Sequence, residues 1–207
     1  MDFAPLYLIA DRATCRPRPL EEVLERALDA GVRFVQLREK GLDTDALRRL
    51  AASVLRLTDA YGACLLLNSR ADIAAEIGAR GVHLPASGAS PESVRGRFGR
   101  QLLVGCSAHT PREIEAAAEG GVDFVTYSPI YPPASKPGYG PGVGLAGLRA
   151  AARATALPVF ALGGITPERT PGCKAAGACG IAVMSGILAA ADVESAVRAY
   201  FTAWGES

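Results

Sequence analysis

The sequence predicts an α/β protein, a (β/α)8 TIM barrel that occupies residues 1–207 as a single domain. Short apolar runs alternate with helix-like segments eight times and no Asn-Gly hairpin separates them, which is typical of an all-parallel sheet. At 207 residues and 49% hydrophobic composition, the chain is near the lower size limit of one such barrel. The last two apolar runs end in glycine or serine, where barrels of this kind commonly hold phosphate.

A doubly wound open sheet is the alternative fold. That fold would place its phosphate-binding loop directly after the first strand, and the loop there, residues 11–18, contains no glycine. The closed barrel therefore fits the sequence better.

Alternating apolar runs and helical spacing locate the individual elements. We predict strands at residues 6–10, 33–38, 63–67, 81–84, 102–105 and 122–126, and in the runs that begin at residues 158 and 180. Helices are predicted at residues 19–30, 44–61, 68–77, 145–155 and 193–204, and from helix starts near residues 90, 110 and 166. The clearest helix start is Thr110-Pro-Arg-Glu113, which combines an N-cap, a first-turn proline and a capping box.

Composition excludes several classes of function. Lys and Arg total 22 against 21 Asp and Glu, so the chain has no net basic field for nucleic acid. No apolar run approaches about 20 residues and the chain starts without a basic leader, so we expect no membrane partner and a cytoplasmic location. The five cysteines form no C-x-x-C pair, which indicates reduced thiols rather than disulfides or metal ligands.

Long polar side chains follow the second predicted strand. Gln36, Arg38 and Lys40 occupy alternate positions, so all three point the same way if the strand continues that far. Strand ends form the active site of such a barrel, which makes these residues candidates for substrate binding. The alternative is that Arg38 and Lys40 pair with neighbouring carboxylates such as Glu39.

Further candidates follow the third, fourth and fifth strands. Asn68 ends the third strand, with Asp72 one helical turn further on. Ser107 follows the fifth strand and is suited to donate to a phosphate or a bound ring. His83 and His109 are either ligand contacts or ordinary structural histidines, and the sequence leaves both readings open.

The longest predicted loop, residues 128–142, follows the sixth strand. Loops this long in a compact domain are often lids. Ser135 and Lys136 offer a hydroxyl and a charge for phosphate, while Tyr131 and Tyr139 could cover a flat substrate. The alternative is a solvated loop of glycines and prolines.

Two glycine-containing turns end the last two strands. Gly163 and Gly164 let free backbone N–H groups approach an anion closely, and a helix that starts near Thr166 would add a favourable dipole. Ser185 and Gly186 repeat this arrangement after the final strand. Together the two turns predict a phosphate site.

The ordered motifs resemble the thiamine-phosphate synthase and TenI superfamily of small α/β barrels over essentially the whole chain. The matching pieces are VQLREK at 35–40, LLNSRADI at 66–73, GVHL at 81–84, GCSAHT at 105–110, SPIYP at 128–132 with Ser135-Lys136, ALGGI at 161–165 and GIAVMSGI at 180–187. The resemblance implies thiamine biosynthesis.

In the synthases, hydroxymethylpyrimidine diphosphate loses pyrophosphate and the nitrogen of a thiazole phosphate captures the resulting carbocation. The resemblance gives one group of residues to the pyrimidine and its diphosphate: Gln36, Arg38, Lys40 and Asn68, assisted by Ser107, Ser135 and Lys136. It gives Gly163, Gly164, Ser185 and Gly186 to the thiazole phosphate. Two aspartates of the family's Mg²⁺ site are replaced here by Ser69 and Gly88.

The same replacements are similar to the TenI branch, whose thiazole tautomerases aromatise a thiazole carboxylate phosphate by proton transfer without metal. The acid/base histidine of that branch aligns with Pro129, so catalytic roles are expected for His109, His83 or Lys136. We expect first a tautomerase without cofactor and second a thiamine-phosphate synthase, with Mg²⁺ only in the second case. A non-catalytic thiazole-phosphate binding or regulatory protein is the third alternative. A homodimer through the rim helices is compatible with such a barrel.

Overall fold

The computed structural model describes residues 3–132 and 142–205. Eight parallel strands close into a barrel in chain order, and the last strand pairs with the first. The register joins Leu8 to Val35 on one side and to Val183 on the other. The predicted α/β barrel is confirmed.

Strands and helices alternate around this barrel. The strands are β1 Leu6–Ala10, β2 Phe34–Leu37, β3 Cys64–Asn68, β4 Gly81–Leu84, β5 Leu103–Ala108, β6 Phe124–Tyr127, β7 Val159–Leu162 and β8 Gly180–Val183. The helices are α1 Arg12–Cys15, α2 Leu20–Asp29, α3 Thr44–Ala60, α4 Ala71–Ile77, α5 Pro91–Phe98, α6 Pro111–Glu119, α7 Gly144–Ala154, α8 Thr170–Ala175, α9 Ser185–Leu188 and α10 Val193–Trp204, with a 3-10 turn at Pro167–Arg169.

The predicted element boundaries differ from the structure in ways that affect the site. β5 continues to Ala108, so Ser107 lies inside the strand and not after it. β2 ends at Leu37, and Lys40 therefore lies beyond the strand, where alternation no longer fixes its direction. The helix expected near Thr166 opens with the 3-10 turn, and the short α1 has no counterpart in the prediction. The capping box at Thr110 is present as predicted.

Aromatic side chains fill the barrel interior. Tyr7 stacks on Phe34 with ring centroids 4.2 Å apart, and Phe124 and Phe160 lie against them. Phe3, which precedes β1, packs against three of these rings at centroid distances of 5.2 to 5.8 Å. These rings fill the amino-terminal part of the barrel interior, and the carboxyl ends of the strands are the side where barrels of this kind bind ligands.

Glycines on the inner face make room for these rings. A Cβ atom at Gly105 would lie 2.2 Å from Cζ of Phe124 and 2.8 Å from Nδ1 of His83. At Gly180 a Cβ atom would lie 2.5 Å from Cε1 of Phe160. Both positions therefore need glycine because any side chain would overpack the interior.

The cysteine side chains are buried or half-buried. All five cysteines are free thiols, and burial raises the pKa of Cys15, Cys106 and Cys173 to about 11. These thiols therefore stay protonated at neutral pH.

Within residues 3–132 and 142–205, no helix has the length and apolar character that crossing a membrane demands.

Candidate active site

The carboxyl ends of the strands form one opening, which we call the mouth. Arg38 follows β2, Asn68 ends β3, and Ser107 lies near the end of β5. The turns after β7 and β8 add Gly164 and Ser185. Parallel strands end at the same edge of a barrel, so residues far apart in the chain converge there.

Gln36 lies below the mouth and Arg38 lies at its edge. The Gln36 side chain is 1% exposed, and its Nε2 donates to the Tyr7 hydroxyl at 2.9 Å. Arg38 is half-buried, and its charge helps to lower the pKa of the buried His83. Lys40 is exposed and makes contacts of its own.

The end of β3 is held in an unusual conformation. Ser69 has a φ of 64°, and among the described residues no other non-glycine residue has a positive φ. Its amide donates to the His83 carbonyl at 2.9 Å, and its hydroxyl accepts from Asn68 Nδ2 at 2.9 Å. Backbone strain of this kind concentrates at functional sites. The hydrogen bond from the Ser69 amide to the His83 carbonyl holds the end of β3 against β4.

His83 lies under the mouth between β1 and β5. Its Nδ1 is 3.4 Å from the Tyr7 hydroxyl, and its Nε2 is 3.0 Å from Ser107 Oγ and 3.4 Å from Thr126 Oγ1. Burial, with a smaller contribution from the Arg38 charge, lowers the pKa of His83 to about 3. The imidazole is therefore neutral at physiological pH.

The turn after β7 exposes backbone donors to the mouth. Gly163 and Gly164 have φ values of 97° and 61°, a region that favours glycine. Among the described residues, neither the Gly164 amide nor the Ser185 amide at the start of α9 donates a hydrogen bond to a backbone carbonyl. The Gly164 carbonyl instead accepts from Arg169 Nη1 at 2.6 Å, and this guanidinium stacks 4.5 Å from the centroid of the Tyr131 ring. Free amides beside a fixed arginine suit an anion.

His109 is anchored to the start of the loop after β6. Its Nδ1 is 2.8 Å from the Ser128 carbonyl oxygen, and because a carbonyl only accepts, Nδ1 carries the proton. In the neutral form of the ring, Nε2 is then the nitrogen without a proton. The half-buried His109 ring thus places a basic nitrogen beside residues 128–129.

A family model described as thiamine monophosphate synthase matches residues 6–187 of this chain. The chain belongs to the thiamine monophosphate synthase family. The match covers all eight strands and the turns that form the mouth. The family resemblance predicted from the motifs is thereby confirmed.

Relatives within and around this family cover nearly the whole chain. A Geobacter sulfurreducens protein with the provisional name thiamine-phosphate synthase is 46% identical to this chain. The match covers 96% of this chain and 93% of that protein. The thiamine-phosphate synthase of Roseiflexus castenholzii is 36% identical over 94% of this chain and 85% of its own. The solved structure of a Pyrococcus furiosus thiamine phosphate pyrophosphorylase superposes with a TM-score of 0.87 and 28% identity, covering 97% and 95% of the two chains.

Mg²⁺ is the metal that the synthase family implies, and the carboxylates near this mouth do not fit it. Asp72 binds Arg70 through both of its oxygens at 2.9 and 2.8 Å, which holds its pKa at about 2. Glu39 accepts from Arg12, and Asp43 caps α3. In residues 3–132 and 142–205, no three His, Cys, Asp or Glu side chains come together as a metal site.

The two positions where the resemblance expects aspartate confirm this misfit. The Ser69 hydroxyl is a neutral oxygen that already accepts from Asn68. A Cβ atom at Gly88 would lie 2.9 Å from both Cδ and Cγ of Pro85, so this turn has no room for a carboxylate. Mg²⁺ needs hard anionic ligands to offset its dehydration. We therefore assign no step of the reaction to it.

The structure brings most of the predicted site residues to one end of the barrel. Arg38, Asn68, Ser107 and both glycine turns line the mouth, while Gln36 and His83 lie beneath it and His109 lies at its β6 side. Ser135, Lys136 and Tyr139 lie outside the described residues. The catalytic roles of His83, His109 and Lys136 stay predictions.

Sequence reasoning missed Tyr7 and Thr126 as polar groups of the site. Both occupy inward positions of strands otherwise filled by apolar side chains, and both are fully buried. A buried hydroxyl needs a partner, and that need was the available signal. The partner could not be named, because it lies on a strand distant in sequence.

The buried neutral His83 predicts a pH-dependent stability. The unfolded chain protonates its histidine near pH 6.5, while folded His83 resists protonation down to about pH 3. As pH falls, the unfolded state binds more protons, so stability is lost below pH 6.5. Between pH 7.5 and 5.0 we expect a loss of about 2 kcal/mol from this group. Urea unfolding at both pH values measures it. His83→Gln should lose less stability over this interval than the wild type, and an equal loss in both proteins would contradict the assignment.

Proposed function

We propose that this chain is a thiamine-phosphate synthase, which joins hydroxymethylpyrimidine diphosphate to a thiazole phosphate. The observation that carries the proposal is a mouth with two separate anion-binding elements. Arg38 supplies a cation after β2, and the turns after β7 and β8 supply free amides at Gly164 and Ser185. Two such elements suit two phosphorylated substrates bound together. Full-length similarity to relatives named thiamine-phosphate synthase supports the same activity and a role in thiamine biosynthesis.

The proposed reaction breaks one bond and forms one. The C–O bond between the pyrimidine methylene and the diphosphate breaks, and its electron pair leaves with pyrophosphate. The thiazole nitrogen then donates its lone pair to the methylene carbon and forms the C–N bond of thiamine phosphate. The protein has to stabilise negative charge on the leaving group and hold the thiazole nitrogen near the carbocation.

The charge on pyrophosphate is the main electrostatic demand of this reaction. Arg38 can form charge-assisted hydrogen bonds to phosphate oxygens, and Ser107 can donate a further one. In this proposal Gln36, Lys40 and Asn68 bind the pyrimidine diphosphate, together with Ser135 and Lys136, which follow β6 in the sequence. Cationic side chains therefore offset the negative charge.

The second half of the site holds the thiazole phosphate. Gly163 and Gly164 allow the backbone to approach closely, and the α9 start adds the Ser185 and Gly186 amides. Arg169 donates a hydrogen bond to the Gly164 carbonyl and adds positive charge beside this turn. The phosphate anchors the ring, so its nitrogen can face the pyrimidine.

A thiazole tautomerase is the second candidate. Two observations favour it. The carboxylates described around the mouth are engaged in ion pairs or caps, and the neutral form of His109 offers Nε2 as an acceptor beside residues 128–129. Such a nitrogen could take a proton from the thiazole carboxylate phosphate as a general base.

A product assay separates the candidates. The full chain is incubated with hydroxymethylpyrimidine diphosphate and thiazole phosphate, with and without added Mg²⁺, and thiamine phosphate and pyrophosphate are quantified. We expect both products in equal amounts. Parallel samples contain the thiazole carboxylate phosphate tautomer with wild type and His109→Asn. Arg112→Ala, on the exposed face of α6, is the matched control and should leave all rates unchanged.

The outcomes exclude one another. Conversion of the tautomer that His109→Asn abolishes, without formation of thiamine phosphate, would replace the synthase by the tautomerase. Binding of thiazole phosphate with neither turnover would leave a binding or regulatory protein and refute both enzymes.

A further inference from the structure

A continuous chain of hydrogen bonds crosses the barrel interior beneath the mouth. Gln36 Nε2 is 2.9 Å from the Tyr7 hydroxyl, which is 3.4 Å from His83 Nδ1, and His83 Nε2 is 3.0 Å from Ser107 Oγ. Gln36, Tyr7 and His83 are 1%, 0% and 3% exposed, whereas Ser107 is half-buried. Ser107 is therefore the most exposed member of this hydrogen-bond chain.

The Tyr7 hydroxyl sets the direction of this chain. It accepts a hydrogen bond from Gln36 Nε2, so its own O–H donates to a second partner. Among the described residues the remaining neighbour of this buried oxygen is His83 Nδ1. Because an unpaired buried hydroxyl is costly, Tyr7 donates to Nδ1, which then carries no proton.

The neutral imidazole of His83 continues the same order of donor and acceptor to Ser107 in β5. With Nδ1 unprotonated, the ring proton is on Nε2, which donates to Ser107 Oγ at 3.0 Å and more weakly to Thr126 Oγ1 at 3.4 Å. The low pKa of His83, about 3, keeps the second proton off the ring at neutral pH. Ser107 Oγ thus accepts a hydrogen bond from His83, and its own O–H is left to donate toward the mouth.

We propose that Tyr7 and His83 are positioning residues that fix the Ser107 hydroxyl as a hydrogen-bond donor to an anionic oxygen of the bound ligand. The proposed function identifies this oxygen as one of the diphosphate, and that part of the inference rests on it. A preset donor needs no reorganisation when negative charge develops on the leaving oxygen. The chain links the first, second, fourth and fifth strands to that single hydrogen bond.

The tautomer of His83 tests this proposal directly, because the same hydrogen bonds with donors and acceptors exchanged would require the opposite tautomer. With the Gln36 amide reversed, Tyr7 would donate to Gln36, Nδ1 would carry the ring proton, and Ser107 would have to donate inward to Nε2. Side-chain ¹⁵N NMR of the histidine-labelled protein distinguishes the two cases. The protein has two histidines, and the His109→Asn variant assigns the NMR signals to each of them.

We expect an Nε2–H tautomer for His83 that does not change between pH 8 and 5. Tyr7→Phe should convert it to a mixture of tautomers. An Nδ1–H tautomer in the wild type, or an unaltered tautomer in Tyr7→Phe, would overturn the proposal. This measurement requires no enzymatic activity, so it stays decisive if the proposed function fails.

A double-mutant cycle tests whether Tyr7 acts through Ser107. In the synthase assay, Tyr7→Phe should lower kcat about 10-fold in the wild-type background and less than about 2-fold in Ser107→Ala. The matched control is Tyr61→Phe, which removes a hydroxyl bonded to Asp29 on the outer surface and should change nothing. Equal effects of Tyr7→Phe in both backgrounds would show a structural role alone and would overturn the proposal.

Discussion

Replacing Gly164 by alanine is expected to lower the affinity for thiazole phosphate about 100-fold, equivalent to about 2.7 kcal/mol. The residue has a φ of 61°, which costs an L side chain about 1 kcal/mol. The added Cβ would also lie 2.9 Å from both Cβ and the carbonyl oxygen of Tyr131. The turn would have to move away from the loop after β6, and the free amide would move with it. Isothermal titration with thiazole phosphate measures the loss.

Gly96→Ala is the matched control for this experiment. Gly96 lies inside α5, and a Cβ atom there would have no neighbour within 4 Å. Alanine should stabilise the helix by about 1 kcal/mol and leave the affinity for thiazole phosphate unchanged. Equal affinities of Gly164→Ala and wild type would place the phosphate elsewhere and contradict the assignment of this turn.

Replacing Arg38 by methionine is expected to lower kcat/KM for the pyrimidine diphosphate about 100-fold. Methionine keeps much of the side-chain volume and removes the guanidinium, so the change isolates the charge. Without that cation, the oxygens of the leaving pyrophosphate lose charge-assisted hydrogen bonds. Because the Arg38 charge also contributes to the low pKa of His83, the same variant should raise that pKa. Steady-state kinetics and a histidine NMR titration measure the two effects.

Arg12→Met controls for a general loss of positive charge at the rim. The Arg12 side chain is 48% exposed and pairs with Glu39, with Nε 3.3 Å from Oε2, so its charge is already offset. We expect a change in kcat/KM below about 3-fold, as is usual for an exposed ion pair. A similar loss in both variants would mean that diffuse charge, and not Arg38 itself, acts on the diphosphate.

Local patterns were sufficient to predict the barrel. Alternating runs located all eight strands, and the capping box at Thr110 marked its helix to the residue. Errors arose where tertiary pairing overrode local sequence. β5 continues through Ser107 because β6 pairs with it there, Ser107 opposite Thr126, and no local signal records that partner.

The site was only partly predictable for a related reason. Glycines with a positive φ, such as Gly163, leave a readable mark in the sequence. The contact between Tyr7 and His83 joins residues 76 positions apart through the stagger of a closed barrel. That stagger is a property of the whole sheet, so neither residue identity nor spacing reveals it. Likewise, the bidentate Arg70 contact that occupies Asp72 became visible only in the folded chain.

A crystal structure of the chain with thiazole phosphate and inorganic pyrophosphate tests the central claim most directly. The account predicts thiazole phosphate oxygens within about 3 Å of the Gly164 and Ser185 amide nitrogens. It predicts pyrophosphate against the Arg38 guanidinium and the Ser107 hydroxyl, with the thiazole nitrogen facing the space between them. Thiazole phosphate bound away from the β7 and β8 turns, or both anions competing for one position at Arg38, would contradict it.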